Sequence, residues 1–184
     1  MVHLQPLPEL WLLSDARNDK ILEEVLDRLP RKSGFVFRHY HLNKKNRLKR
    51  FKELKRVCRQ RDHMLILADN PDIARAWGAR GVYGPAERLH RQKGNLLRIM
   101  TVHNLREVGL ANIQHADAIM LSPVFFTNTH KNACPLKPNK FRFIAARSMI
   151  PVIALGGMNK KTARQLEWTR WAAIEGLSSE VISI

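Results

Sequence analysis

Short apolar, β-branched runs alternate with longer amphipathic segments along the whole chain. Eight of these runs have the length of a strand, at 10–15, 34–39, 64–69, 81–83, 97–102, 118–123, 152–156 and 172–177. In the segments between them, apolar residues recur at helical spacing. This alternation is typical of parallel βα units, in which each strand is followed by a helix.

Helices are predicted at 20–29, 45–61, 71–77, 105–114, 138–148 and 160–168, with a short helical piece at 86–92 and a stub after Ser178. Eight strands with helices between them predict closure into a barrel, because closure pairs every strand edge. The fold prediction is therefore α/β, with residues 1–184 forming one domain, a compact (β/α)8 TIM barrel. Its helices must be shortened, since such barrels typically need about 200 residues or more.

The chain lacks the signals of other architectures. An open doubly wound sheet is the structural alternative, but no G-x-G-x-x-G follows the first strand to support dinucleotide binding. The longest apolar runs, such as 150–155, fall far short of the roughly 20 residues that span a bilayer, so no membrane association is expected. Because no signal-peptide pattern opens the chain, we expect a cytoplasmic location. Cys58 and Cys134 form neither a metal cluster nor a disulfide framework, and reduced thiols are expected.

A strong positive charge adds to this picture, with 32 Lys and Arg against 16 Asp and Glu and a formal net charge of +16. Much of the excess lies at 44–61, where the apolar residues Leu48, Phe51, Leu54 and Cys58 recur at helical spacing. The favoured interpretation is an amphipathic helix whose basic residues face solvent. A nucleic-acid footprint is the alternative, and it is less favoured because few aromatic residues lie among the basic ones.

Candidate chemistry is sought at the carboxyl ends of the strands, where barrel active sites lie. The seventh run ends in Gly156 and Gly157, just before a helix that begins near Lys160. Paired glycines let the backbone approach an anion, and the helix offers free N–H groups. The eighth run ends at Gly176 and Ser178, and the loops after strands seven and eight often share one phosphate. The pattern predicts a phosphate site, with a tight turn that binds nothing as the alternative.

The loop after the sixth strand carries the hydroxyls of Thr127 and Thr129 together with His130 and Lys131. Such a loop is too polar for the core and long enough to move. It could close over a phosphorylated substrate and exclude water from a charged intermediate. An ordinary polar surface loop is the alternative.

Several of these segments resemble the thiamine phosphate synthase/TenI family. Residues 122–129, with Thr127 and Thr129, resemble its G-P-[IV]-F-x-T-x-T-K loop, and 150–158 resembles its IPVVAIGGI strand. The spacing from Gly156 to Ser178 matches the distance to the family's V-V-S phosphate turn. Upstream, 12–15 is similar to the opening L-[VI]-T-D, 101–103 to S-x-H, and Asp69 to the aspartate of I-N-D. The resemblance covers nearly the whole chain.

The resemblance implies an enzyme that joins hydroxymethylpyrimidine pyrophosphate to thiazole phosphate and releases pyrophosphate. In that reaction Mg²⁺ and cationic groups hold the leaving pyrophosphate while a pyrimidine carbocation forms. By position, Arg38 matches the arginine of the family's Q-L-R-E-K motif and would clamp phosphate, and Asp69 would hold Mg²⁺. Catalytic roles are implied for Arg38, Thr129 and Lys131. Phosphate binding is implied for Arg38, Thr101, Thr127, Thr129, Gly156, Gly157 and Ser178.

The departures from the family pattern concern the pyrophosphate and metal positions. Val36 and Tyr40 stand where the motif has glutamine and lysine, and Ala68 precedes Asp69 in place of asparagine. Arg88 stands at the second metal carboxylate and would repel Mg²⁺, unless it neutralises phosphate in the metal's place. The predicted function is therefore a thiamine-phosphate synthase-like transferase acting on small phosphorylated substrates. A TenI-like or non-catalytic barrel that binds a phosphorylated ligand is the alternative.

TenI-type tautomerase chemistry is not favoured by the sequence. The position of the tautomerase acid/base histidine is Pro123 here, which has no titratable group. His103 and His130 are the other candidate proton carriers, although a lone histidine is more often a surface or structural residue. The resemblance is compatible with a homodimer.

Overall fold

Eight parallel strands close into a barrel in the computed structural model of the chain, which describes residues 6–89, 95–127 and 134–177. Each strand pairs with its neighbours in sequence, and β1 pairs with β8. The predicted (β/α)8 fold is confirmed. The strands are β1 Leu10–Leu13, β2 Gly34–Phe37, β3 Met64–Leu67, β4 Gly81–Gly84, β5 Leu97–Val102, β6 Ala118–Leu121, β7 Val152–Leu155 and β8 Trp171–Ala173.

Short helices cover the barrel, as the chain length predicts. They are α1 Leu22–Arg28, α2 Lys44–Gln60, α3 Pro71–Trp77, α4 Leu105–Ile113, α5 Lys137–Ala145 and α6 Lys160–Leu166. Between β4 and β5 the described residues contain a 3-10 turn, Ala86–Arg88, in place of an α-helix. The helical stub predicted after Ser178 lies outside the described residues. Within those residues, no helix combines the length and the apolar character that a membrane crossing demands.

Six of the eight strands end earlier than the sequence pattern predicts, whereas β4 ends one residue later and β5 ends as predicted. The second strand is predicted to reach residue 39, but β2 ends at Phe37 and His39 has a φ of +43°, so the chain has already turned. The last strand is predicted to run to residue 177, but β8 ends at Ala173. Buried residues continue past the ladder in both places, His39 after β2 and Leu177 after β8. Side chains expected at strand ends therefore lie on loops at the rim.

Both faces of the strands are buried, as expected for a parallel barrel whose outside is covered by helices. Every residue of β2, β3 and β6 is buried. Alternate residues point into the barrel and form its inner core, which comprises Trp11, Leu13, Val36, Met64, Ile66, Ala68, Tyr83, Ile99, Ala118, Met120, Ile153 and Ala172. The intervening residues pack outward against the helices.

Trp11 fills the amino-terminal end of the barrel interior. Its side chain is fully buried, and its indole N–H donates to the carbonyl of Pro8 at 2.8 Å. The space for the indole comes from Gly34 on the neighbouring strand. A Cβ at Gly34 would lie 2.1 Å from Cε3 of Trp11, far inside contact distance. Gly34 is therefore required by packing.

Gly34→Ala should destabilise the fold by about 1–3 kcal/mol, because the added methyl group displaces a fully buried indole. Gly109→Ala is the matched control, since a Cβ there meets no atom within 4 Å in helix α4. That control should stabilise the protein by up to about 1 kcal/mol. Urea unfolding followed by circular dichroism measures both. Equal midpoints for Gly34→Ala and the wild type would show that the barrel interior has room to spare.

Candidate active site

The carboxyl ends of the strands bring most of the predicted site residues to one rim of the barrel. Arg38 follows β2, Asp69 follows β3, Thr101 lies in β5, and Thr127 follows β6. The paired glycines follow β7. Parallel strands in a closed barrel all end at the same rim, where barrel active sites are built. Three predicted residues, Thr129, Lys131 and Ser178, lie outside the described residues.

Arg38 is held rigidly by the loop that follows β1. Its Nε donates to the carbonyl of Ser14 at 2.9 Å, and its Nη2 donates to Asp15 Oδ2 at 2.8 Å. Arg17 Nε donates to the other carboxylate oxygen of Asp15, also at 2.8 Å. Partial burial raises the pKa of Asp15, but the hydrogen bonds and charges of Arg17 and Arg38 outweigh burial and hold it below its usual value. The guanidinium of Arg38 is therefore positioned before any anion binds.

A buried polar network supports Arg38 from behind. Ser14 Oγ accepts the backbone N–H of Arg38 at 2.7 Å and lies 2.7 Å from His39 Nδ1. His39 Nε2 lies 2.8 Å from Asp19 Oδ1, which also accepts Arg50 Nε at 2.7 Å. A neutral His39 with its proton on Nε2 satisfies the bonds to both of its neighbours.

The Ser14–His39–Asp19 arrangement positions the site and is not a nucleophilic triad. The side chain of Ser14 is fully buried, so no substrate carbonyl reaches its hydroxyl. Sequence reasoning missed this network, although a serine and a histidine at the ends of the first two predicted strands were the available signal.

The position of Arg47 differs from the one predicted from the sequence. The basic residues of the helix at 45–61 were expected to face solvent, but Arg47 is only 9% exposed. It precedes Phe51 by four residues, so it lies on the apolar face of α2. Arg47 Nε donates to the carbonyl of Arg38 at 2.8 Å, Nη2 donates to the carbonyl of Ala68 at 3.0 Å, and Nη1 binds the carboxylate of Asp69.

Aromatic rings enclose the same guanidinium. Its central carbon lies 5.6–5.7 Å from the ring centroids of Phe37, Tyr40 and Trp77. Cations over aromatic faces at this distance are stabilised by the ring quadrupoles. Burial raises the pKa of the Tyr40 hydroxyl, and the positive charges of Arg38, Arg47 and Arg88 oppose this rise. This part of the rim is thus rich in arginine, and Tyr40 stands where the family motif has lysine.

The described residues do not fit the Mg²⁺ site that the resemblance implies. Mg²⁺ is bound through carboxylate oxygens, but the carboxylate of Asp69 already binds Arg47, and that of Asp15 binds Arg17 and Arg38. At the second metal position, Arg88 is an exposed cation. The metal role of Asp69 therefore stays a prediction that this geometry does not favour.

A second group of carboxylate and imidazole atoms fits a metal no better. The ligand atoms of Asp19, His39 and His41 lie within 4.8 Å of one another. However, Asp19 binds the guanidinium of Arg50, and both ring nitrogens of His39 are engaged by Ser14 and Asp19. A dication there would have to displace a cation that the protein supplies itself.

The predicted phosphate residues Thr127, Gly156 and Gly157 line one small pocket of about 70 Å³. The loop after β8 completes it, including Gly176. Gly156 and Gly157 have φ values of +94° and +64°, which favour glycine. A Cβ on Gly157 would also lie 2.4 Å from the carbonyl oxygen of Phe126. The paired glycines thus let the loop after β6 cross the β7 turn and form the pocket wall. Thr101 does not line it.

Helix α6 contributes less to this pocket than the sequence predicts. A capping box closes its start, in which Asn159 Oδ1 accepts Thr162 N–H at 2.9 Å and Thr162 Oγ1 accepts Asn159 N–H at 2.8 Å. The helix therefore satisfies part of its own terminus. An anion in the pocket would depend on the loop backbone and on hydroxyl groups.

The fold and the rim define the class: a closed (β/α)8 barrel with arginines and a glycine-lined pocket at the carboxyl ends of its strands. The sequence profile described as thiamine monophosphate synthase matches residues 11–177, so the chain belongs to this family.

Relatives and solved structures agree with this assignment. The chain is 31% identical to the thiamine-phosphate synthase of Chloroflexus aurantiacus over 133 residues, which cover 69% of this chain and 62% of the relative. It is 31% identical to the thiamine-phosphate synthase of Methanosarcina barkeri over 138 residues, covering 71% and 62%. The matched region thus spans about three fifths of either relative. The structure of thiamine phosphate pyrophosphorylase from Pyrococcus furiosus superimposes with a TM-score of 0.77 at 26% identity, covering 91% of this chain and 85% of that one.

His39 should make stability depend on pH. Burial lowers its pKa below the usual value, although the hydrogen bond to Asp19 opposes this effect. A lowered histidine pKa favours the neutral form in the fold, so its contribution is complete above the unfolded-state pKa of about 6.5 and is lost as the pH falls through the folded value.

We expect His39→Gln to lose less stability than the wild type as the pH falls from about 7 to about 5. Urea unfolding across this range measures the difference. His63, whose pKa burial also lowers, is present in both proteins, and so its contribution cancels. An identical pH slope in the two proteins would contradict the prediction.

Proposed function

We propose that this protein is a thiamine-phosphate synthase-type transferase, which joins hydroxymethylpyrimidine pyrophosphate to thiazole phosphate. The observation that carries the proposal is that one barrel rim has two separate groups of candidate phosphate-binding residues. One is the arginine-rich region around Arg38, and the other is the pocket lined by Thr127, Gly156 and Gly157. A reaction between two phosphorylated substrates needs both. The names of the relatives from Chloroflexus and Methanosarcina support the same reaction.

In this reaction the bond between the pyrimidine methylene carbon and pyrophosphate breaks, and pyrophosphate leaves with the electron pair. The thiazole nitrogen then donates its lone pair to the carbocation and forms the new carbon–nitrogen bond. Arg38 stabilises the departing negative charge, because its guanidinium is already fixed by Ser14 and Asp15 at the rim. A preorganised cation of this kind stabilises the transition state more than one that must reorient.

The glycine-lined pocket holds the phosphate of the thiazole in this proposal. Thr127 and the β7 loop with its paired glycines line the pocket. Thr129, Lys131 and Ser178 are proposed to complete it on the strength of the family resemblance alone, since they lie outside the described residues. Thr101 lies in β5 and does not line this pocket, so its role as a phosphate ligand also rests on the family resemblance alone.

A phosphate-binding barrel without transferase activity is the second candidate function. It is favoured by the contact between Arg47 and Asp69, which occupies the proposed metal ligand, and by Arg88 at the other metal position. Val36 and Tyr40 also replace the glutamine and lysine of the family motif. In that case the rim would still hold phosphorylated ligands.

The location and assembly of the protein stay predictions. A cytoplasmic location agrees with two free thiols, Cys58 and Cys134, in the described residues. A homodimer is compatible with the family assignment.

Arg38→Met should lower the rate of thiamine phosphate formation by about 100-fold, because it removes one preorganised cation from the transition state. Lys49→Met is the control, since Lys49 lies exposed on α2, and its rate should equal that of the wild type. The assay mixes both substrates with each purified protein and quantifies thiamine phosphate by liquid chromatography.

The transferase proposal is contradicted if the wild-type protein forms no thiamine phosphate, with or without Mg²⁺, and does not restore growth of a thiamine-requiring synthase mutant. Binding of thiazole phosphate measured by calorimetry would then support the second candidate. Loss of that binding in Gly157→Ala, whose added Cβ meets the Phe126 carbonyl, would locate the ligand in the glycine-lined pocket.

A further inference from the structure

We propose that Arg47 takes the place of a metal ion in this protein, so that the substrate pyrophosphate is held by guanidinium groups and no divalent cation binds at Asp69. The identity of the anion rests on the proposed function. The absence of a bound metal ion at Asp69 is independent of the proposed function, because metal binding can be measured without the reaction.

The hydrogen bonds of Arg47 fix it between the ends of two strands. Its acceptors are the carbonyl of Arg38 after β2, the carbonyl of Ala68 after β3, and the carboxylate of Asp69. Two of these acceptors are backbone atoms, whose positions the barrel sets. Moving the guanidinium away to admit a metal would leave these polar groups without their partner, which is unfavourable in a part-buried place.

Packing holds Arg47 in the same position. It lies one helical turn before Phe51, whose ring is fully buried, and three aromatic rings surround its guanidinium. This geometry differs from that of a surface arginine, which is exposed and changes rotamer freely. Arg47 is therefore a built-in cation of the rim.

The charges around Asp69 also favour an anion over a dication. Arg38 and Arg47 contribute two fixed positive charges, each paired with a carboxylate, and Arg88 is an exposed cation at the second metal position. Ala68 offers no side-chain ligand. Mg²⁺ would have to displace Arg47 from Asp69 and would lie near Arg38 and Arg88, whereas a pyrophosphate would meet guanidinium groups, which bind phosphate oxygens in pairs.

Manganese binding, followed by the loss of the free Mn²⁺ paramagnetic resonance signal, tests the proposal on the full chain. The wild type and Asp69→Asn should bind Mn²⁺ equally weakly. Arg47→Met exposes the carboxylate of Asp69 and should strengthen Mn²⁺ binding about tenfold, and the double variant Arg47→Met/Asp69→Asn should lose this gain. Circular dichroism establishes that each variant is folded, and the comparison of wild type with Asp69→Asn decides the question if Arg47→Met does not fold.

Calorimetry with inorganic pyrophosphate supplies an independent measurement. Pyrophosphate should bind the wild type equally well in Mg²⁺ and in a chelator, and Arg38→Met should weaken binding about tenfold in both. The proposal is overturned if Asp69→Asn weakens Mn²⁺ binding about tenfold relative to the wild type, or if the chelator abolishes pyrophosphate binding. If the wild type makes no thiamine phosphate but gives the expected results in both binding measurements, the transferase proposal is wrong. The proposal that Arg47 replaces the metal ion would then still hold.

Discussion

Pairing of β1 with β8 is the interaction on which the rest of the structure depends. Leu10, Trp11 and Leu12 align with Trp171, Ala172 and Ala173, and this ladder turns an open sheet into a cylinder. Closure sends the carboxyl end of every strand to the same rim. Residues from β2, β3, β6 and β7 therefore meet there although they are far apart in sequence. It also explains why short helices suffice, because the sheet has no edge left to protect.

The strand and helix pattern could be predicted from the sequence because it depends on local periodicity. The predicted helix at 71–77 coincides with α3, and the strand at 97–102 coincides with β5. Strand ends were less predictable, since buried residues such as His39 and Leu177 continue beyond the ladder. The family resemblance supplied the candidate site residues. It could not show which of them, such as Asp69, form ion pairs with other side chains of the protein.

Arg47 illustrates why part of the site was not predictable. Its burial depends on Asp69, which is distant in sequence, and on backbone carbonyls that come near only once β2 and β3 are paired. The departures at Ala68 and Arg88 signalled that the metal positions had changed. Nothing local to α2 indicated that a basic residue of that helix supplied the compensating charge. The position of His39 was equally unpredictable, because its partners are Ser14 in the loop after β1 and Asp19 in the 3-10 turn Asp19–Ile21.

The position of Trp11 also affects how ligands enter and leave the barrel. Its fully buried indole occupies the amino-terminal end of the interior and donates to Pro8, which closes that end of the cylinder. Both substrates and both products of the proposed reaction would therefore enter and leave by the opposite rim. Pyrophosphate, the smaller product, would leave past the arginines of that rim, so the order of departure would become part of the proposed catalytic cycle.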